Sequence, residues 1–543
     1  MPPVNAAREA PDPSRWTRRG VLVLLAAVAA PPAAAQCPDG SPPPCRGAAA
    51  RVAAAPAGSI AVLPFVNRSP DSADAYLADA LPEQIFGRLA RVRSLAVKSP
   101  TAVAAQWRRT PDPMAAARAL RVEWFVTGSI RRAARQLSVS AELVRAASGD
   151  GAWGAPFRRG DDDLAAIEEQ IAESVAVGIV GRLAPAELTA LRRTPSRNTD
   201  AYRLYLYGRS LAGRRTTADI QAAVNAFAEA VGRDSAFASA WARLAFVRSL
   251  QVQWGNEEGL SRDSLVALSG TGIDRALRLD SNLSEAWHAR GTRAAIESDL
   301  GEAHHALERA LRLDSLSADT FHALGYLYSV DNLDLPDVAE SHYRRALALD
   351  PDLRNSWRHL ALSRRDQGRL AESEAMLDTA LARGPWGMGH AERASVRFAR
   401  GNGTGALADL AEAQRLGNLP LGTRASLAAS RALYAVAVGD SAPARARLDT
   451  LRARADSGRP NYREIATVSA ALGQREAALS ALESLRRSAT PQTEPRCGAA
   501  PCSVSLATWR ALHDPILAPL QSDPRFQRLL AETRPRVPWL AAR

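Results

Sequence analysis

Bulky aromatic residues recur along the middle of the chain at a nearly constant interval. Trp241, Trp287, Phe321 and Trp357 follow one another at steps of 46, 34 and 36 residues. A repeat length of about 20 to 50 residues is typical of arrays in which each unit buries its apolar face only against its neighbours. The chain is therefore predicted to carry such an array, which explains how 543 residues can fold without one very large core.

Small residues follow the aromatic residues at fixed positions. Leu324-Gly325 follows the third aromatic residue and Leu360-Ala361 follows the fourth, each ahead of a second stripe of alanines and larger apolar residues. The pattern resembles the tetratricopeptide repeat, a pair of antiparallel helices of about 34 residues that touch through small side chains. The resemblance implies about eight units over residues 199–490, stacked into a superhelix with a concave groove. Gly325 is then expected at a close helix contact, and the 46-residue step predicts an insertion near residues 256–264.

Residues 59–183 carry a different pattern, one of short apolar runs and amphipathic stripes. Residues 59–65 and 123–130 are branched apolar runs typical of buried strands, and residues 137–143 alternate apolar and polar side chains like a half-exposed strand. Residues 73–91 place Leu or Ile at four-residue steps, which predicts an amphipathic helix. Further strands and helices are predicted at 95–97, 151–157, 112–120 and 161–182. The predicted fold class is an α/β amino-terminal domain, a small mixed sheet with helices, followed by an all-α tetratricopeptide-repeat solenoid.

The same stretch resembles the TolB amino-terminal-like domain found in many bacterial proteins. The matching residues are 60–65, 76–81, 126–131 and 151–153. The resemblance implies a non-catalytic module for assembly or sensing, without catalytic residues to assign. A G-x-G-x-x-G run at residues 149–154 would bind a dinucleotide only if it opened a helix, and the proline that follows two positions later prevents this. The run is therefore predicted to be a hairpin turn.

The residue types that most enzymes need are scarce or badly placed. Lys98 is the only lysine of the chain, so a G-x-x-x-x-G-K-[ST] phosphate loop is absent and a Schiff-base lysine has a single candidate. The H-E-x-x-H zinc motif and the G-x-S-x-G nucleophile motif are also missing. The net charge of +12 is spread along helices among acidic residues rather than gathered in one basic block. We therefore expect a protein that is not an enzyme, with no cofactor, no metal ion and no nucleic-acid partner.

The amino terminus has the character of an export signal. Arg18 and Arg19 precede the apolar stretch 21–30, and a run of small residues predicts cleavage after Ala35. The arginine pair also resembles a twin-arginine signal, so the Sec and Tat routes both stay open. Residues 36–58 are rich in proline, alanine and glycine and are predicted to be a linker. The protein is expected in the periplasm or cell envelope. An uncleaved amino-terminal membrane anchor at residues 1–35 is the alternative.

The four cysteines lie as two local pairs. Cys37 and Cys45 belong to the linker, and Cys497 and Cys502 to a carboxy-terminal tail, residues 491–543, with predicted short helices. Export places them in an oxidising compartment, and their Pro-, Gly- and Ala-rich loops leave room for small disulfide rings. A metal site would need C-x-x-C spacing or a histidine close by in the sequence, and these cysteines have neither. Two local disulfides are therefore predicted.

Candidate binding residues occupy equivalent positions of successive repeats. His288 and His322 are 34 residues apart, each directly after the recurring aromatic residue, and Arg358 has the same place in the next unit. Such positions often face the groove in similar arrays, and Tyr326 lies one turn further along its helix. The strip predicts a site for an acidic peptide or a C-terminal carboxylate, while ordinary solvated side chains are the other interpretation. The clamp of chaperone-binding repeats is not matched, because Thr292 and Tyr326 stand where asparagine is needed and lysine is lacking.

Together these features predict an exported, non-enzymatic scaffold. It would bind a protein or peptide partner through the repeat groove and use the α/β domain as an assembly module. The alternative is a sensory or regulatory component of a signalling system, because similar modules occur fused to kinases, cyclases or DNA-binding domains. The export signal favours the scaffold, since a cytoplasmic regulator would not need one.

Overall fold

The computed structural model describes residues 55–534 with short gaps. The gaps are at 71–74, 134–135, 161–163, 193, 197, 257–258, 330–331, 418, 457–459, 489–495, 498–499 and 502–505. The predicted export signal, Cys37, Cys45, Cys502 and the side chain of Cys497 lie outside the described residues, so cleavage and both disulfides stay predictions. Among the described helices, none combines the length and the apolar character that a bilayer crossing requires.

A six-stranded mixed sheet forms the centre of the amino-terminal domain. Its strands are β1 (Ser59–Val62), β2 (Val66–Asn67), β3 (Ala96–Val97), β4 (Trp124–Ala133), β5 (Gln136–Arg145) and β6 (Gly151–Gly160). Their order is β3-β1-β4-β5-β6, and β2 pairs with β4 further along the line of β1. β1, β2 and β3 run parallel to their partners, whereas β4, β5 and β6 are antiparallel. β5 and β6 form the predicted hairpin, in which Gly149 and Asp150 lie in the turn and residues 151–154 already belong to β6.

Five helices belong to the same domain as this sheet. They are α1 (Ala75–Leu89), α2 (Pro100–Arg109), α3 (Pro113–Leu120), α4 (Leu164–Val180) and α5 (Pro185–Arg192). α1 and α4 pack on the face that carries Ile60 and Val126, while α2 and α3 pack with Ala61 and Phe125. Successive residues of a strand point to opposite faces, so the two clusters lie on opposite sides of the sheet. Burial on both faces is what a sheet with parallel strands requires.

Sixteen helices form eight consecutive pairs within residues 199–487 of the described chain. The pairs are α6 (Thr199–Arg214) with α7 (Thr217–Arg233), α8 (Ala238–Trp254) with α9 (Arg262–Leu279), α10 (Ser284–Ile296) with α11 (Leu300–Leu313), α12 (Ala318–Tyr328) with α13 (Pro336–Leu349), α14 (Arg354–Asp366) with α15 (Leu370–Leu381), α16 (Gly387–Ala399) with α17 (Gly403–Leu416), α18 (Leu421–Val436) with α19 (Ala442–Asp456), and α20 (Tyr462–Ala471) with α21 (Arg475–Arg487). Each pair packs against the next, which confirms the predicted fold class of a mixed sheet followed by a helical solenoid. The extra residues of the 46-residue step lengthen α8 and α9 and the loop between them.

The recurring tryptophans hold the turns between units. The indole Nε1–H of Trp241 donates to the carbonyl of Ser235 at 3.1 Å, and that of Trp287 donates to the carbonyl of Ser281 at 2.9 Å. Trp357 makes the same bond, at 2.8 Å, to the carbonyl of Pro351. Each acceptor lies six residues upstream, in the turn that enters the unit. The recurring tryptophans therefore have two roles. Their rings bury apolar area, and their indole N–H groups make a repeated hydrogen bond that fixes the turn.

Glycines let the two helices of a unit approach closely. A Cβ built on Gly325 of α12 would lie 2.6 Å from the ring of Tyr343 on α13, and one on Gly291 of α10 would lie 2.6 Å from Leu307 on α11. Such distances are well below van der Waals contact, and Tyr343 is itself 1% exposed. The close helix contact predicted at Gly325 is confirmed.

The amino-terminal domain and the first units share one hydrophobic core. Leu81 and Ile85 of α1 belong to the same buried cluster as Tyr202 of α6 and Phe227 of α7. The buried area is continuous across this junction, so separating the domain from α6 would expose apolar surface on both sides. The domain and the first units therefore form one packed body.

A second contact joins the domain to the array much further along the chain. Ser99, which caps α2, donates its hydroxyl to the carbonyl of Leu349, at 2.8 Å and 250 residues away in sequence. Arg108 of α2 forms an ion pair with Asp352 in the turn after α13. The domain thus bridges from the first pair of helices to the end of the fourth pair.

The carboxy-terminal tail covers the last pair of the array. It contains β7 (Arg496–Cys497), β8 (Ala500–Pro501), α22 (Leu506–Leu512), a 3-10 helix (Pro515–Leu520) and α23 (Pro524–Thr533). Leu517 and Phe526 pack with Leu479 and Leu482 of α21 in one buried cluster. An array end otherwise exposes an apolar face, so the tail acts as its cap.

Candidate peptide-binding chamber

A cavity of about 1900 Å³ lies on the side of the array formed by the first helices of the pairs. It is lined mainly by the first helices α6, α8, α10, α12, α14, α16, α18 and α20, with α19 and, on one side, α1 of the amino-terminal domain contributing further residues. α18 also contacts α8, so the array curls far enough to enclose the space. We call this space the concave chamber. It is larger than the roughly 300–1,000 Å³ of typical small-molecule sites and suits a polymer segment.

Two of the predicted binding residues line the concave chamber and join successive units. His288 of α10 shares a hydrogen bond of 3.1 Å between Nδ1 and the Thr320 hydroxyl of α12. His322 of α12 shares one of 2.9 Å between Nδ1 and the Ser356 hydroxyl of α14. Both hydroxyls are fully buried. The two histidines therefore belong to a ladder of bonds between units, and one nitrogen of each ring is held by it.

Burial sets the charge of these imidazoles. It lowers the pKa of His288 to about 4 and the pKa of His322 to about 4, against the opposing pull of Asp319. Both rings are therefore neutral at pH 7, and each presents one hydrogen-bond donor and one acceptor. The two histidines of the predicted strip become positively charged only at acidic pH. Whether these residues contact a peptide stays a prediction.

Arg358 and Tyr326, the other predicted binding residues, also line the concave chamber. Arg358 Nη2 lies 2.7 Å from Glu392 Oε1 on the next unit, so its charge is already balanced. Its Nη1 lies 3.1 Å from His359 Nε2, and because a guanidinium only donates, that nitrogen accepts. The ring of Tyr326 lies 5.3 Å from the ring of His359. The four predicted residues are thus brought together, in a setting that is mostly neutral.

Two further arginines of the chamber have acidic partners. Arg209 Nη2 lies 2.8 Å from Glu83 Oε2 of α1, and Arg243 Nη2 lies 2.9 Å from Glu285 Oε1. The Tyr205 hydroxyl donates to the same Glu285 oxygen at 3.2 Å. The charges of these two arginines are therefore already paired with carboxylates of the protein.

Arg215 differs from these arginines, and sequence reasoning missed it. It ends α6 in the left-handed conformation, with φ 55°, and points into the concave chamber. Its guanidinium lies 5.3 Å from the centre of the Phe246 ring, and no carboxylate oxygen of the described residues lies within 4 Å. Burial lowers the pKa of Arg215, but an arginine keeps its proton in water. Arg215 therefore brings to the chamber a positive charge that has no direct ion pair.

Asp319 brings the opposite charge, and it too was missed. It lies in the first turn of α12, lines the concave chamber and accepts no hydrogen bond from a described residue. Burial would raise the pKa of its carboxyl, but His288 and Arg215 outweigh that effect and lower it below the usual range. The carboxyl is therefore ionised at pH 7.

One further histidine of the array lies outside the chamber lining. His304 Nδ1 lies 2.8 Å from the hydroxyl of Tyr328, in a buried contact between α11 and α12. Within the described ranges, no group of three His, Cys, Asp or Glu side chains is arranged to hold a metal ion.

Two comparisons with known proteins match parts of the chain. Residues 56–151 match the family described as HilA/YgeH-like transcriptional regulator, second domain. A curated protein of Rhizobium meliloti (strain 1021), named putative adenylate cyclase 3, is 27% identical over 250 residues, which are 46% of this chain and 42% of that protein. The chain therefore spans about two fifths of the length of that relative. The resemblance to the TolB amino-terminal-like domain stays a prediction.

Solved structures of repeat proteins align with parts of the array. The thermophilic TPR protein TTC0263 of Thermus thermophilus is 20% identical, with a TM-score of 0.30 over 36% of this chain and 98% of that one. PilF of Pseudomonas aeruginosa is 16% identical, with a TM-score of 0.30 over 40% of this chain and 91% of that one. YrrB, described as a TPR protein with an unusual peptide-binding site, is 21% identical, with a TM-score of 0.25 over 36% of this chain and 93% of that one. The solenoid architecture stands on the helix pairing of this chain itself.

Proposed function

We propose that the protein is an exported, non-enzymatic scaffold that holds a peptide segment of a partner protein in the concave chamber. The amino-terminal domain serves in this proposal as the module that attaches the scaffold to an assembly of the cell envelope. The chamber supports the proposal, because it is large, lined by many units and joined to the domain through one core.

The lining supports a peptide rather than an apolar ligand. Phe246, Tyr326 and Met388 line the chamber together with polar groups such as Asn355 and Thr423. A mixed surface of this kind can bind both the backbone and the side chains of an extended segment. The first helices repeat at a regular interval, so neighbouring residues of a bound segment would meet similar surroundings.

Selection from a peptide library tests the proposal. The purified protein is used to select 12-residue random peptides displayed on phage, and the affinity of the selected peptides is measured by fluorescence anisotropy. Ser426→Trp adds a large ring to the exposed, chamber-facing side of α18. It is expected to weaken binding by about tenfold or more, because the ring occupies the space of the ligand.

The matched control is Ser480→Trp, at an exposed position of α21 that does not line the chamber. It is expected to leave the affinity unchanged. Failure to select any peptide, or equal affinity of the two variants, would overturn the proposal.

A regulatory role is the second candidate. The matches to a transcriptional-regulator domain and to a putative adenylate cyclase favour it. Cell fractionation with amino-terminal sequencing separates the candidates. A mature protein that begins at Gln36 in the envelope fraction agrees with the scaffold. An intact amino terminus in the cytoplasm agrees with the regulator, and an intact amino terminus in the membrane agrees with an anchored form.

A further inference from the structure

We propose that Arg215 and Asp319 select a peptide segment that carries both an acidic and a basic side chain. This inference rests on the proposed function and specifies which peptides the concave chamber takes. The acidic side chain would meet the Arg215 guanidinium beside Phe246, and the basic one would meet the Asp319 carboxylate. Both residues line the chamber, and both act on each other electrostatically without forming an ion pair within 4 Å.

The backbone of Arg215 argues against a purely structural role. α6 and α7 are separated by two residues, Arg215 and Thr216, and such a short turn needs a left-handed residue. Glycine or asparagine meets this need at lower cost, since the Cβ of a left-handed arginine comes too close to the following carbonyl oxygen. The chain instead places a long cation there. Its guanidinium stacks near Phe246 at 5.3 Å and stays available to a carboxylate.

Arg215 lacks the carboxylate partner that the paired arginines of the chamber have. The paired arginines of the chamber, Arg209, Arg243 and Arg358, have carboxylates at 2.7 to 2.9 Å. Arg215 has the Phe246 ring instead, which attracts a cation but accepts no charge-assisted hydrogen bond of the kind a carboxylate does. A carboxylate brought by a ligand would form charge-assisted hydrogen bonds, which are roughly twice as strong as neutral ones.

The Asp319 carboxylate favours a basic side chain of the peptide. Its carboxylate faces the chamber and interacts with His288 and His322, whose rings are neutral at pH 7 because burial lowers the pKa of both. A peptide whose charged side chains are all acidic would pair with Arg215 but would be repelled by the Asp319 carboxylate. A segment with both charges satisfies both residues, and this is how specificity arises from attraction and repulsion together.

A peptide fits this pair better than an inorganic ion. A single anion of small size would pair with Arg215 and leave Asp319 unsatisfied. The chamber, about 1900 Å³ in volume, holds several residues of an extended chain, so two side chains of one segment can reach both charges.

The test uses peptides selected from the 12-residue library and a double-mutant cycle. Arg215→Asn removes the cation and keeps a residue that tolerates the left-handed conformation, and Asp319→Asn removes the anion. Each is measured against the selected peptide and against copies whose acidic or basic residue is replaced by alanine. Arg312→Asn and Asp263→Asn, at exposed positions outside the chamber, are the matched controls.

Arg215→Asn is expected to weaken binding by about ten- to a hundredfold, and to have no further effect once the peptide lacks its acidic residue. Asp319→Asn is expected to behave likewise toward the basic residue. The Tm of Arg215→Asn should stay unchanged or rise, because the strain is relieved.

Three results would overturn the charge-pair proposal: selected peptides without paired charges, cycles that show no coupling, or a lower Tm of Arg215→Asn with uniform loss of affinity. In the first two cases peptides still bind, and if Ser426→Trp blocks them the proposed function stands. If no peptide is selected at all, the proposed function fails first.

Discussion

The hydroxyl of Tyr202 donates a hydrogen bond of 2.8 Å to the carboxylate of Glu168, deep in the junction between the amino-terminal domain and the array. Glu168 belongs to α4 and is 0% exposed, and Tyr202 belongs to α6 and is 1% exposed. Arg88 of α1 lies 3.7 Å from the same carboxylate oxygen. One polar contact thus ties three helices of the shared core together.

The charge of Glu168 should make this junction sensitive to pH. Burial raises the pKa of Glu168 to about 7, although Arg88 and Tyr202 oppose the change. The unfolded chain ionises near pH 4.5, so the folded protein loses stability as the pH rises from about 4.5 through 7. Between pH 5 and pH 8 the loss from this group should be about 2 kcal/mol.

Glu168→Gln removes the ionisable carboxyl and therefore its contribution to the pH dependence of stability. Melting curves at pH 5 and pH 8 should show that the stability of the wild type relative to the variant falls as the pH rises. Glu173→Gln, at the surface of the same helix, is the control. A difference between wild type and Glu168→Gln that does not vary with pH would contradict the assigned protonation.

The chamber histidines should give the opposite dependence. The pKa of His322 is lowered by burial to about 4, while the unfolded chain takes up the proton near pH 6.5. Stability should therefore be lost as the pH falls from 6.5 toward 4, on the order of 2 kcal/mol between pH 7 and pH 4.5.

His322→Asn keeps a group able to bond the Ser356 hydroxyl but cannot take up the proton. Its Tm should fall less than that of the wild type on acidification, measured from pH 7 to pH 4.5. His305→Asn changes an exposed histidine of α11 and should leave the wild-type dependence intact. Equal acid dependence of wild type and His322→Asn would show that His322 does not stay neutral.

The helix contact at Gly325 should not tolerate a methyl group. Gly325→Ala would force the ring of Tyr343 to move, at a cost of about 1–3 kcal/mol, and Gly325→Trp would disrupt the unit locally. Gly232→Ala, where a Cβ meets no atom within 4 Å, should instead raise stability by about 0.5–1 kcal/mol. Urea unfolding of the two alanine variants measures both. Equal effects at the two sites would mean that the contact is looser than the structure has it.

Much of the fold follows from periodicity. The strands of the sheet, the α1 stripe and the pairing of helices obey spacings of about 2, 3.6 and 34 residues. α2 escaped prediction because its residues, Pro100–Arg109, are mostly alanine, polar side chains and arginine, without a continuous apolar stripe. The signal that could have found it is the Ser99-Pro100 start, since Ser caps helices and Pro suits their first turn.

The site was predicted less completely than the fold. Repeat register placed His288, His322, Tyr326 and Arg358 on one surface, and the structure brings them together. It could not give their charge state, because burial and partners such as Glu392 arise only when units stack. Arg215 lies in a turn between helices, where no repeat position marks it.

Hydrogen exchange with a selected peptide tests most directly whether the concave chamber is the binding surface. Exchange is followed by mass spectrometry in the purified protein with and without the peptide. Peptide binding should slow exchange in the first helices, α6, α8, α10 and α12, and in the turn at Arg215. Protection confined to the second helices of the pairs or to the sheet edge at β6 would contradict the assignment of the chamber as the binding site.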